Sequence, residues 1–275
     1  RVVLISTYEL GRQPFGVASA AAWLRARGHE VETIDTAVSL APPQALKMAE
    51  VVAFSLPMHT ATRLAAGWIK RVREENPAAR LIAFGLYAPL NAEYLRGLGV
   101  AQVIGGEFEG ALVEAVEGRG AELLISLDRL PFVRPDRSTI APMGKYAPLV
   151  VDGERRMAGS TEASRGCKHQ CRHCPVVPVY GGAFRIVPRE VVLADIEQQV
   201  EQGARHITFG DPDFLNGPGH AISIVDAFHE RWPEITYDVT IKIEHLLKHR
   251  PLLPRLAETG CLFVTSAVES VEDAV

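Results

Sequence analysis

Three of the four cysteines in this chain, Cys167, Cys171 and Cys174, fall within eight residues, and Cys261 stands alone. The stretch reads Ser164-Arg165-Gly166-Cys167-Lys168-His169-Gln170-Cys171-Arg172-His173-Cys174-Pro175. Spacings of four and three on a tight polar loop bring three sulfurs toward one point. Such a set fills three corners of a tetrahedral metal or three irons of a four-iron cluster. Arg165, Lys168 and Arg172 favour thiolate over thiol and offset a cluster's negative charge. Neighbours this close pair badly as disulfides, so a reduced, intracellular setting fits better. Three ligands rather than four leave an open coordination position, which chemistry needs and a structural site does not. The competing reading is a structural zinc completed by His169 or His173.

Further polar groups stand where later apolar runs end. Asp211 and Asp213 follow Phe209, Lys242 and Glu244 follow Ile241, and Glu269 and Ser270 follow Ala267-Val268. Asp211 has an alternative use as a cap for the next helix.

These groups need a scaffold, and the apolar pattern supplies one. Residues 1 to about 125 alternate strand-like runs (Val2–Ile5, Val31–Asp35, Val51–Phe54, Leu81–Phe84, Val100–Ile104) with amphipathic stretches. Near-continuous apolar strands separated by helices predict a parallel sheet covered on both faces. Five of them make a doubly wound α/β domain that binds ligands at the strands' carboxyl ends. Residues 126–159 carry Pro131, Pro135, Pro142 and Pro148 with little periodicity and read as a linker. From residue 160 to 275 strands alternate with helices again, and no antiparallel turn is expected. This predicts a partial (β/α) barrel, since four strands cannot close one. The cysteine loop then follows its first strand, where barrel residues read as catalytic. Cys261, at a strand entrance, reads as a small core residue.

The chain has 275 residues, 47% hydrophobic, with 29 basic and 33 acidic side chains and a net charge of −4. That balance argues against a general nucleic-acid binder. No apolar run approaches the ~20 residues of a membrane helix, and no leader pattern opens the chain. A cytoplasmic location is expected. The first residue is Arg1 and the last Val275; both ends read as cut.

The Cys-x-x-x-Cys-x-x-Cys motif at the end of a first barrel strand resembles the signature of the radical S-adenosylmethionine (SAM) superfamily. The resemblance covers residues 160–275. It implies that Cys167, Cys171 and Cys174 bind a [4Fe-4S] cluster whose fourth iron is chelated by SAM. It places Asp211, with Asp213 second, against the SAM amino group, and Lys242 and Glu244 near its carboxylate or ribose. Glu269 and Ser270 resemble the family's Gly-Ile-Glu-Ser element. His173 stands where an aromatic residue is common and offers a flat ring to adenine. Thr240 occupies a position that is often acidic in relatives.

A doubly wound domain ahead of such a barrel resembles the cobalamin-binding-domain group. Ser55-Leu56 and Gly105-Gly106-Glu107-Phe108-Glu109-Gly110 look like loops lining the corrin and its tail. The first loop has no Asp-x-His-x-x-Gly, so it offers cobalt no histidine, and Gly85-Leu86-Tyr87 stands where Gly-Gly is expected. A Gly-x-Gly-x-x-Gly fingerprint is missing, which argues against a nicotinamide dinucleotide. Within the group, the run from Glu162 to Phe184 looks like the CUAEP/CCAEP-tail subgroup, which includes enzymes proposed to form carbon–arsenic bonds.

The resemblance implies a radical SAM enzyme acting by group transfer on a small-molecule substrate. The group is methyl, or 3-amino-3-carboxypropyl onto an arsenic species. Flavodoxin or ferredoxin would be the external electron donor. The alternative is a non-catalytic zinc or iron-sulfur binding module.

Overall fold

The computed structural model describes residues 1–39 and 43–268. The chain folds as two compact units, Arg1–Tyr146 with Cys171–Gly181, and Ala147–Gln170 with the chain from Gly182 onward.

The first unit runs β1 (Val2–Ser6), α1 (Phe15–Ala26), β2 (Val31–Asp35), α2 (Pro43–Met48), β3 (Val51–Ser55), α3 (His59–Glu75), β4 (Arg80–Phe84), α4 (Ala92–Gly97), β5 (Gln102–Gly106), α5 (Phe108–Val116) and β6 (Leu123–Ser126). Its sheet is parallel, in the order β2-β1-β3-β4-β5-β6. Alternate residues of each strand feed two cores. Val3, Ile5, Val52 and Phe54 pack on one face, and Val2, Leu4, Ala53 and Phe84 on the other. The central strands therefore read as unbroken apolar runs. On α3, Ala61, Ala65, Ile69 and Val72 recur at helical spacing and are buried. Asn76 ends that helix and donates to Leu46 O (2.8 Å) and Ala49 O (2.9 Å), tying it to α2.

Five strands were expected here and six are present. The sixth, β6, is an edge strand with Leu123, Leu124 and Ile125 partly open to solvent, so no buried run announces it. Gly106 lies at φ +74°, and a Cβ there would collide with Ser126 O, so only glycine allows the two strand ends to approach.

The expected linker 126–159 is structured on both sides of Tyr146. Its first part packs on the first unit: Asp136 N donates to Ala18 O (2.9 Å), and Arg25 meets Asp136 at 2.5 Å. Its second part is the hairpin β7 (Leu149–Val151) and β8 (Glu154–Arg156). Asp152 and Gly153 turn it, both with positive φ, as two-residue hairpins require.

The second unit continues with β9 (Ala158–Thr161) and β10 (Ser164–Gly166). The short helix α6 (Val177–Tyr180) belongs to the first unit. Then follow β11 (Phe184–Ile186), α7 (Arg189–Glu201), β12 (His206–Phe209), α8 (Pro218–Arg231), β13 (Thr236–Thr240), α9 (Ile243–Lys248), α10 (Leu253–Glu258) and β14 (Cys261–Thr265). Its main sheet is parallel, β14-β13-β12-β9, matching the expected four-stranded partial barrel. Two features depart from expectation. The chain before the cysteine loop is two strands, β9 and β10, separated by a bend. Antiparallel pairs also occur: besides the β7–β8 hairpin, β10 pairs with β11, Gly166 opposite Phe184, so the cysteine loop leaves and returns through a two-stranded neck.

One face of the parallel sheet is covered by helices. Tyr237 packs edge-on against Phe209 and Phe228, and its hydroxyl donates to Leu256 O (3.1 Å). Among the described residues no strand pairs on the outer side of β9. There the buried Gln199 of α7 accepts from Ser160 N (2.9 Å) and donates to Ser160 O (3.1 Å).

Candidate active site

The cysteine loop begins where β10 ends. Cys167, Cys171 and Cys174 are all free thiols and partly exposed. Cys167 belongs to the second unit, Cys171 and Cys174 to the first. Cys174 N donates to Cys171 O (3.2 Å) and Val177 N to Cys174 O (3.3 Å), two consecutive turns that open α6.

Asn216 organises the start of the loop. This buried side chain donates from Nδ2 to Cys167 Sγ at 3.3 Å. Its Oδ1 accepts from Lys168 N (3.4 Å), which fixes the amide's orientation, and its backbone oxygen accepts from Lys168 Nζ (2.7 Å). A buried N–H aimed at a cysteine sulfur suits a thiolate or a cluster-bound sulfur better than a neutral thiol. A donor of this kind at Cys167 fits one cysteine ligand of a [4Fe-4S] cluster.

Asp211 and Asp213, equivalent by composition, have different environments. Asp211 is fully enclosed, accepting from Ala163 N (2.9 Å) and from the Ser164 hydroxyl. Burial pushes its carboxyl up to about 6, against the opposing pull of those donors. It fastens the bend between β9 and β10. Asp213 Oδ1 accepts from Leu215 N (3.3 Å) and Lys242 N (3.5 Å). Its Oδ2 is buried without a hydrogen-bond partner, 2.7 Å from His245 Nδ1, which is equally unpartnered. This buried oxygen has capacity for an ammonium group, as the amino end of SAM would supply.

Around it stand His169, His245, Lys242 and Glu244. Lys242 Nζ donates to Glu244 Oε2 (2.8 Å) and to His169 Nδ1 (3.2 Å), and His169 Nε2 faces His245 Nε2 at 3.1 Å. Lys242 holds the exposed Glu244 below the usual carboxylate range. Burial, then the Lys242 charge, lowers the pKa of His169. His169, Asp213 and His245 are grouped closely enough to hold a metal ion. The lysine donor at Nδ1 puts the His169 hydrogen on Nε2, however, which removes the lone pair such an ion would need.

The structure thus brings Cys167, Asp213, Lys242 and Glu244 into one unit with Asn216, His169 and His245. Asp211 serves the scaffold beneath them, and His173 is exposed. Glu269 and Ser270 lie outside the described residues. Cys261 is half-buried rather than a core residue, with its thiol pushed up to about 11 by burial. Asn216 and His245 were missed by sequence reasoning. The Asp-x-x-Asn spacing was a usable signal for the first; nothing marked the second.

At the carboxyl ends of the first unit's strands, Tyr87 lies against the core. Gly85 (φ +107°) packs on the Leu56 backbone, and a Cβ on Gly105 would meet Pro89 at 2.5 Å. The Leu56 backbone and the Pro89 ring occupy the space beside these two glycines.

No protein-family model matches the chain. It is 26% identical over 97 residues to the hopanoid C-2 methylase of Rhodopseudomonas palustris (strain TIE-1), a match covering 34% of this chain and 18% of that protein. It superposes on two structures of the radical S-adenosylmethionine methyltransferase TsrM from Kitasatospora setae. One holds tryptophan substrate and the SAM analogue aza-SAM, the other cobalamin and a [4Fe-4S] cluster. Both matches have TM-score 0.71 and 17% identity, and cover 100% of this chain. The chain spans 60% and 62% of those two structures' length. At this identity the likeness shows a shared fold.

Proposed function

We propose that the chain is the fold-bearing part of a radical SAM enzyme that transfers a methyl group to a small molecule. The observation that carries this reading is the run of free thiols Cys167-x-x-x-Cys171-x-x-Cys174 that follows β10, with a buried amide donating to its first sulfur. The named activity of TsrM, on the same fold over the whole chain, supports it.

When bound, a [4Fe-4S] cluster supplies the electron for reductive cleavage of a carbon–sulfur bond in SAM, or the anchor for SAM as a methyl source. The chain's own residues do the rest. Cys167, Cys171 and Cys174 would be the protein's ligands to the cluster, which would offer SAM its remaining iron. Asn216 orients and partly neutralises the Cys167 sulfur. Asp213, whose Oδ2 lies beside His245, would hold the SAM ammonium, and Lys242 with Glu244 would meet its carboxylate or ribose. Asp211 acts on none of these groups directly; it fixes the bend from which the loop springs.

Cobalamin is the second cofactor this reading takes, supported by its presence in the TsrM structure of the same fold. No histidine on the loop between β1 and α1 would bind its cobalt. Flavodoxin or ferredoxin as electron donor and a cytoplasmic setting follow from the same reading; no described helix is long and apolar enough to cross a membrane. The finer assignment, 3-amino-3-carboxypropyl transfer to arsenic, rests on the Glu162–Phe184 resemblance.

Anaerobic reconstitution with iron and sulfide tests the proposal. About four irons per chain and an electron paramagnetic resonance signal that SAM perturbs are expected. Stoichiometric zinc with a silent spectrum would leave a binding module instead. Nucleoside products then separate the transfers: S-adenosylhomocysteine or 5′-deoxyadenosine marks methyl chemistry, and methylthioadenosine marks aminocarboxypropyl transfer.

A further inference from the structure

Each imidazole beside Asp213 has the place of its hydrogen dictated by a neighbour, beginning at Lys242. An ammonium only donates, so Lys242 Nζ, 3.2 Å from His169 Nδ1, makes that nitrogen an acceptor. The His169 hydrogen is then on Nε2, 3.1 Å from His245 Nε2, which accepts it. Having accepted there, His245 carries its own hydrogen on Nδ1, the atom that lies 2.7 Å from Asp213 Oδ2. His169 Nε2 stands 4.0 Å from the same oxygen. The four groups come from three segments: the cysteine loop (His169), the loop after β12 (Asp213), and α9 with the residue before it (His245 and Lys242). Little water reaches the end of the series, where the His245 and Asp213 side chains are 9% and 3% exposed.

We propose that His245 is a positioning residue for Asp213, and that Lys242 and His169 set which of its nitrogens bears the hydrogen. The opposite arrangement would oppose two N–H groups at 3.1 Å and turn a lone pair toward the carboxylate. With the hydrogen on Nδ1, the nitrogen nearest Oδ2 is the positive end of an N–H dipole. The pair is not aligned as a hydrogen bond. The attraction of dipole for charge still favours the ionised carboxyl and fixes where its negative charge lies. An arriving ammonium therefore meets a carboxylate already charged and placed, and less of its binding free energy goes into ordering that group. The inference rests on the proposed function for the identity of the ammonium as the amino group of SAM.

The test measures binding of SAM, and of its analogue lacking the amino group, to the iron-loaded protein by equilibrium dialysis. Asn carries its amide nitrogen near the Nδ1 position of a histidine and Gln near the Nε2 position, so the two imidazoles have opposite requirements. His245→Gln is expected to weaken SAM binding about tenfold and leave the analogue's binding unchanged, whereas His245→Asn restores the donor and SAM affinity. At His169 the order reverses: Gln keeps the donor to His245 and Asn loses it. Iron content should match the wild type in all four variants. Equal losses for SAM and the analogue, no loss in His245→Gln, or the same order of Asn and Gln at both positions would overturn the inference. So would a fall in iron content shared by all four, which would make the imidazoles supports of the loop's fold. Iron-loaded wild type that binds SAM no better than the analogue would instead refute Asp213 as the partner of the ammonium, and this inference with it.

Discussion

Asp213 Oδ2 and His245 Nδ1 approach to 2.7 Å, both buried, in an alignment that makes no hydrogen bond between them. A buried carboxylate oxygen left in this state has a strong affinity for a cationic donor. Asp213→Ala is therefore expected to weaken SAM binding by at least about tenfold, read by equilibrium dialysis against the iron-loaded protein. Unaltered affinity in that variant would remove Asp213 from the SAM site.

Asp211 supports a different prediction because its carboxyl is raised to about 6 while fully enclosed. An acid whose pKa is higher folded than unfolded binds more protons in the folded state between the two values. Stability at this site is thus highest below pH 4 and declines as pH rises toward 6. The loss is of order 3 kcal/mol once both states are ionised. Comparing denaturant midpoints of the wild type and Asp211→Asn from pH 4 to 7 isolates the site. The difference between them should shift in the variant's favour with rising pH; a flat difference would count against it.

Asn216 stabilises negative charge on the Cys167 sulfur through its 3.3 Å contact. Hydrogen bonds to cluster sulfurs favour the reduced, more negative state. Asn216→Ala should lower the cluster's reduction potential while iron content stays at the wild-type level, followed by spectroscopically monitored redox titration. A potential that rose, or stayed fixed, would show that the amide serves only to place Lys168.

Gln199 predicts a stability effect distant from the chemistry. A Cβ on Gly159 would collide with Gln199 Oε1, so Gly159→Ala must push the amide off the Ser160 backbone. Leaving those buried groups unpaired costs about 1–3 kcal/mol each. Chemical denaturation should show Gly159→Ala and Gln199→Leu losing similar amounts, and the double variant losing less than their sum. Full additivity would mean the two sites are independent.

How far the sequence carried these assignments depends on burial. β1, β3 and β4 are enclosed on both sides, so Val2–Ile5, Val51–Phe54 and Leu81–Phe84 were readable as unbroken apolar runs. β6 lies at an edge and half in solvent, beside a proline-rich stretch, and its Leu123–Ser126 pattern did not stand out. β10 and β11 are three residues each, too short for any period to show. The Asp152-Gly153 pair is a hairpin signal, but it stands among prolines that give the stretch the composition of a linker. The cysteine spacing was legible because three thiols cannot be spaced so by the demands of a core. Which of Asp211 and Asp213 faces a ligand was not: two aspartates two residues apart are alike until the Ser164 and Ala163 donors are folded onto one of them.

The amide of Gln199 has a consequence for how the second unit's sheet can be extended. By occupying both hydrogen-bonding groups of Ser160 on the outer flank of β9, it makes that flank a terminus that no incoming strand can join. A strand pairing with this sheet is therefore directed to the β14 edge, away from the strand that Gln199 caps.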